Sequence, residues 1–139
     1  MHGKGKIKII PREELIIRES KKIPFGNGEI WFEQLDALSV HRDIVRDKFL
    51  KDMEILRKPS SPALVAVCLY ETDMDDELSE LIIRTLSNTG RKLLKVVFVG
   101  ASRNLQKTMQ QIILRFPVPF LIAFMDDYEK AKLWLIPSS

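Results

Sequence analysis

The sequence predicts a single α/β domain, a mixed β-sheet with three central parallel strands flanked by about four helices. Three observations predict it. Continuous apolar runs at 63–69, 94–99 and 118–124 have the length and composition of strands buried on both faces, as in a parallel sheet. Between them apolar residues return at helical spacing, and right-handed crossovers make such strands parallel neighbours. The 139 residues leave little room for a second domain. Residues 1–6 are expected to be a flexible lead and 7–136 the domain.

The elements follow in order. Lys6-Ile-Lys-Ile-Ile10 alternates as a short strand, and residues 15–18 form a second strand candidate. Phe25-Gly-Asn-Gly28 is a turn signal, because Gly and Asn tolerate positive φ. Residues 29–35 alternate as the strand after that turn. At Ser39, a plausible N-cap, the period changes. Val40, Ile44, Phe49, Met53 and Leu56 then form one helical stripe, with His41 on the polar side of the first turn. Pro59-Ser-Ser-Pro62 stops the helix.

After the first buried strand, Leu78, Leu81, Ile82 and Leu86 mark a helix that Gly90 ends, with Arg91 and Lys92 at its negative pole. Gly100 turns the chain out of the second buried strand and Ser102 caps a helix with the stripe Leu105, Met109, Ile112, Ile113 and Phe116. Pro117 and Pro119 suit the start of the third strand. Asp126-Asp-Tyr-Glu129 reads as an acidic capping box opening a last helix through Leu135. The expected order is β-β-β-α-β-α-β-α-β-α.

Composition narrows the function classes. Apolar residues at 45% and charged residues at 29% are ordinary for a globular domain and exclude a chain disordered throughout. One cysteine excludes an internal disulfide and a cysteine metal cluster. Cys68 sits inside an apolar strand, as a buried inert thiol would. Trp31 and Trp134 read as packing residues. Twenty-two Lys+Arg against nineteen Asp+Glu give a net charge of +3, and six of the cations (Lys4, Lys6, Lys8, Arg12, Lys21, Lys22) are N-terminal. Basic residues interleaved with aromatics on one face are missing, so no nucleic-acid partner is expected. The longest apolar run, 117–125, is far short of the ~20 residues of a membrane span. No segment resembles a targeting signal, so a cytoplasmic protein without a transmembrane segment is expected.

Chemistry-bearing residues are sparse. Neither His2 nor His41 stands in a nucleophile–base arrangement, so no catalytic residue, cofactor or metal is expected. The acidic cluster Glu71, Asp73, Asp75, Asp76 and Glu77 admits three readings. It can cap a helix and offset its dipole, present a charged docking surface, or hold a divalent cation. Gly100, Ser102 and Arg103 at a helix start form a weak candidate anion site; a plain turn with a serine cap is the favoured reading of them.

Residues 25–136 resemble the STAS domain of anti-sigma-factor antagonists, within it the SpoIIAA-like group. The matching stretches are the strand at 64–73, the helix at 75–90, Lys95-Val-Val-Phe-Val-Gly100, and the closing stretch 117–135 with its F-x-D-x-x-x-A-x-x-W-L ending. The resemblance implies a non-catalytic switch module that binds a partner protein. In the antagonist branch a serine in a D-S-S-G pattern is phosphorylated at the start of the helix after the central strand. Here Asp75 matches the aspartate, Asp76 and Glu77 stand in place of the serines, and Leu78 replaces the glycine. The phosphorylation switch is therefore not expected, and Asp73, Asp75, Asp76 and Glu77 become the candidate partner-binding loop.

The function expected is a small regulatory or protein-binding module. Its partner is another protein, a second copy of the chain among the candidates. The alternative is a carrier of an apolar ligand or lipid in a cavity between sheet and helices. A carboxylate-based enzyme is the third reading.

Overall fold

The computed structural model describes residues 7–89 and 93–137. Five strands form one sheet in chain order: β1 (Lys21–Phe25), β2 (Gly28–Gln34), β3 (Leu64–Cys68), β4 (Lys95–Val99) and β5 (Leu121–Met125). β1 runs antiparallel to β2, and β2 to β5 are mutually parallel neighbours. The sheet is therefore mixed, as expected. Four helices flank it: α1 (Arg42–Leu56), α2 (Asp76–Ser87), α3 (Arg103–Arg115) and α4 (Tyr128–Leu135).

The helices divide between the two faces. Successive right-handed crossovers between adjacent parallel strands deliver α1, α2 and α3 to the same face. There Val45, Phe49, Met53, Ile82, Leu86, Met109 and Ile112 pack on Trp31, Val65, Val67, Val96 and Phe98. The alternate strand residues, Ile30, Phe32, Ala66, Cys68, Val97 and Val99, face α4 through Ala131 and Leu135. No described strand follows α4, so no crossover dictates its side, and it covers the face the other helices leave open. With helices on both faces, β3 and β4 are buried almost throughout, which is why their sequences are apolar runs without alternation.

Several expectations are corrected. The third apolar strand starts at Leu121 and lies at the sheet edge, not in its interior, with Leu121 62% exposed. Pro117 and Pro119 supply no N–H and delay pairing, and an apolar run does not reveal how many strands lie beyond it. Residues 7–10 and 15–18 are not strands, and Arg12–Glu14 form a 3-10 turn between them. The strand before the turn is β1 instead, because a two-residue hairpin requires pairing directly against it. Phe25 opposes Gly28, and Gly26 takes φ +60, as a primed turn demands. The order is thus β-β-α-β-α-β-α-β-α.

Ser39 does not cap α1. It sits at φ +56, its hydroxyl accepting from Ile10 N and donating to Lys8 O, and His41 is the N-cap residue. The buried stripe of α1 is Val45, Phe49, Met53 and Leu56, while Val40 is exposed. In α4 the cap is Asp127, accepting from Glu129 N and Lys130 N, so a box opening at Asp126 does not form. Phe116 lies just past α3, under the guanidinium of Arg84 at 4.7 Å. Leu133 is the residue of the 133–135 trio that faces outward. The expectations for residues 1–6, Gly90, Arg91 and Lys92 lie outside the described residues. Among those described, no helix is long and apolar enough to cross a membrane.

Candidate functional site

Two loops leave the C-terminal ends of β2 and β3 side by side. Backbone bonds continue the ladder beyond the strands: Leu35 N to Cys68 O, Ala37 N to Tyr70 O, Ser39 N to Glu71 O and Asp73 N to Ser39 O, at 2.7–3.0 Å. Buried Thr72 joins them, its hydroxyl accepting from Leu38 N and donating to Leu35 O. Ala37, Ser39 and Glu71, at φ 58, 56 and 53, are the left-handed non-glycine residues among those described, and all three lie here. Left-handed backbone costs a residue with a side chain roughly 1–2 kcal/mol. Such strain persists only where neighbours over-determine it, and it concentrates at ligand clamps and switches.

The loops set the mouth of a groove between α1 and α2. Its volume is about 470 Å³, and it is lined by Arg42, Asp43 and Arg46 of α1 and by Asp75, Glu77, Leu78, Glu80, Leu81 and Arg84 at and along α2. Leu78 and Leu81 supply its apolar part, and charges of both signs supply the rest. Arg42 ties the walls together, with Nη2 at 2.5 Å from Asp73 Oδ2 and Nη1 at 3.4 Å from Asp75 Oδ2. Asp75 also caps α2, its Oδ1 accepting from Leu78 N at 2.8 Å. Asp76 and Glu77 follow in the first turn, both exposed.

The four predicted loop residues are thus brought together, with divided roles. Asp73 and Asp75 hold Arg42 and the helix start. Asp76 and Glu77 present unburied charge, Glu77 into the groove. No group of three acids, histidines or cysteines with metal-binding geometry occurs among the described residues.

Gly100, Ser102 and Arg103 are brought together less productively. Gly100 has φ +86, and a Cβ there would lie 2.7 Å from the Tyr70 ring, so close approach of that ring requires glycine. Its N–H donates to Met125 O at 2.9 Å, and the Ser102 hydroxyl accepts from Leu105 N at 3.2 Å. These polar groups are engaged within the fold, and Arg103 is exposed.

Sequence reasoning missed two buried polar networks. In the first, Glu33 is 0% exposed on the helical face of β2, its Oε1 accepting from Trp31 Nε1 at 2.9 Å. Beside it Lys48 Nζ lies 2.7 Å from Asp52 Oδ2, and Ser20 donates to the same oxygen at 2.8 Å while accepting from Gln34 N. Burial, and then the neighbouring Asp52, push the Glu33 carboxyl well above the usual carboxylate range. Glu33 Oε2 is buried without a hydrogen-bond partner among the described residues, so burial favours the neutral carboxyl over the carboxylate there. Desolvation raises Asp52, but hydrogen bonds from Glu33, Lys48 and Ser20 outweigh it and hold that carboxylate low. The signal was present in the strand alternation, since Glu33 shares its side with Trp31 and Leu35.

In the second network Asp36 accepts from Tyr70 N at 2.9 Å and from the Tyr128 hydroxyl at 3.0 Å, binding the ends of β2 and β3 to α4. Burial pushes Asp36 up, and pushes the nearby Cys68 thiol up to about 12, which leaves that thiol protonated and unreactive.

Compared with family models, curated proteins and solved structures, the chain gives no match.

Proposed function

We propose that the chain is a non-catalytic regulatory module of STAS/SpoIIAA-like type, which binds another protein through the α1–α2 groove and its acidic loop. The observation that carries this reading is the groove itself. It joins an apolar floor, half-buried Leu81 with buried Leu78 beneath, to a rim of charges of both signs, and it opens beside the strained loops. Such a surface suits a protein partner, whose apolar contact supplies affinity and whose charges set register. The same reading puts the module in the cytoplasm and makes Asp76 and Glu77 a permanent, unswitched negative charge at the start of α2.

The other readings draw less support. Seven of the nine groove-lining residues are charged, which does not suit an apolar ligand. Ser20 and Lys48 approach within 2.8 Å, as in a serine–lysine pair, but both donate to the same Asp52 oxygen and neither lines the groove.

The triple variant Asp75→Asn, Asp76→Asn, Glu77→Gln tests the proposal, because the amides keep shape and capping while removing charge. Affinity pull-down from cell extract should lose at least one specific partner relative to the unsubstituted chain. Stability should fall by no more than about 1–2 kcal/mol from weakened dipole and cap interactions. Identical partner sets from both proteins would overturn it.

A further inference from the structure

The positive excess of this chain is local. Residues 1–22 hold seven Lys+Arg against three Glu, and the remainder holds fifteen against sixteen Asp+Glu. In the structure, residues 7–20 form a strap along α1. Its attachments are polar: Lys8 and Ile10 to the Ser39 hydroxyl, Ile10 O to His41 Nε2 at 2.6 Å, Arg12 to Asp43 at 3.0 Å, and Ser20 to Asp52. Several of its apolar side chains are left outside. Ile9 is 75% exposed, Ile16 77% and Ile17 53%. Exposed Lys8, Arg12 and Arg18 lie among them, and exposed Lys21 and Lys22 of the edge strand β1 continue the series, so that residues 7–22 carry five cations against the exposed carboxylates of Glu13, Glu14 and Glu19.

Isolated exposed isoleucines are ordinary, but this one short segment leaves three exposed, two of them adjacent in sequence and flanked by the basic residues Arg12 and Arg18. That combination is what an anionic bilayer surface binds: aliphatic side chains enter the headgroup–acyl boundary while lysine and arginine meet the lipid phosphates. Residues 1–22 contain no Phe, Tyr or Trp, so bases would find no stacking platform there. The ion pairs of Arg12 and Lys22 are solvent-exposed and contribute little that would compete with lipid, and Arg18 stands 4.0 Å from buried Asp36.

We infer that residues 7–22 are a docking surface for an anionic lipid bilayer, so that the module works at a membrane surface without spanning it. Arg12 of the strap pairs with Asp43 of the groove wall, but Ile16, Ile17, Lys21 and Lys22 do not line the groove, so variants at those four positions test membrane contact apart from partner binding.

Co-sedimentation of the full chain with vesicles tests the inference. The chain should pellet with phosphatidylcholine vesicles containing phosphatidylglycerol, less so at high salt, and should stay in solution with phosphatidylcholine alone. Each basic side chain near the surface is worth roughly fivefold in partitioning, so Lys21→Gln with Lys22→Gln should weaken binding by roughly twenty-fivefold. Ile16→Ser with Ile17→Ser leaves the charge unchanged and should weaken it by about tenfold. All four side chains are exposed, and unchanged circular dichroism confirms that the variants fold. No binding to the anionic vesicles, or full binding by the isoleucine variant, would overturn the inference. Tight binding to duplex DNA with none to vesicles would reassign the strap to nucleic acid.

Discussion

Glu33 shows how one residue sets a solution property of the whole chain. Its carboxyl is buried, and burial sets its folded-state pKa above the unfolded value near 4.5. The stability it contributes is complete below that value and is lost as pH rises toward and through the folded value. Asp52 has the opposite sign: held low in the fold, it contributes stability above its ordinary 3.8 that is lost as pH falls through its folded value. Glu33→Gln keeps an oxygen for the Trp31 indole and gives Asp52 an N–H donor, with nothing to titrate. Urea unfolding from about pH 5 upward should therefore show the original chain losing up to about 1.4 kcal/mol per pH unit relative to the variant until Glu33 ionises. Parallel curves would mean that Glu33 is already ionised in the fold. This residue was legible as an acid on the apolar side of an alternating strand. Its partners were not, because Ser20, Lys48 and Asp52 converge on it only through folding.

The elements were legible where local chemistry decides them and obscure where pairing does. α2 and α3 show strong helical stripes, and their caps Asp75 and Ser102 each accept the expected backbone N–H. β1 was missed because its residues, Lys-Lys-Ile-Pro-Phe, form a strand only by pairing with β2 across the Gly26 turn. Ser39 looked like a cap, but its hydroxyl holds the strap and its backbone extends the ladder toward Thr72. The last helix offers a one-residue discrimination. Asp127→Ala removes the side chain that accepts from Glu129 N and Lys130 N and should cost about 1 kcal/mol in thermal or urea unfolding. Asp126→Ala removes no cap and should cost clearly less. The reverse order would restore the box at Asp126.

For the whole molecule, the alternation of apolar runs with helical stripes sufficed to give the sheet, its parallel sense and the helix count. The division of faces and the edge position of β5 were not available from it, since both depend on what neighbours each strand. The groove is likewise a product of topology. The α1 and α2 crossovers leave neighbouring strands, which brings Arg42 and Arg46 opposite Glu77 and Arg84 although the sequence separates them by more than thirty positions. The acidic loop was visible in the sequence as an anomaly, and the arginines that face it were not. That this groove docks a protein is most directly tested by site-specific photocrosslinking in cells. Arg46 and Glu77 would be replaced one at a time by benzoylphenylalanine, with exposed Gln110 on α3 as the control position. The account predicts that positions 46 and 77 capture the same protein and that position 110 does not. No capture from the groove positions, or the same set of proteins from all three, would contradict it.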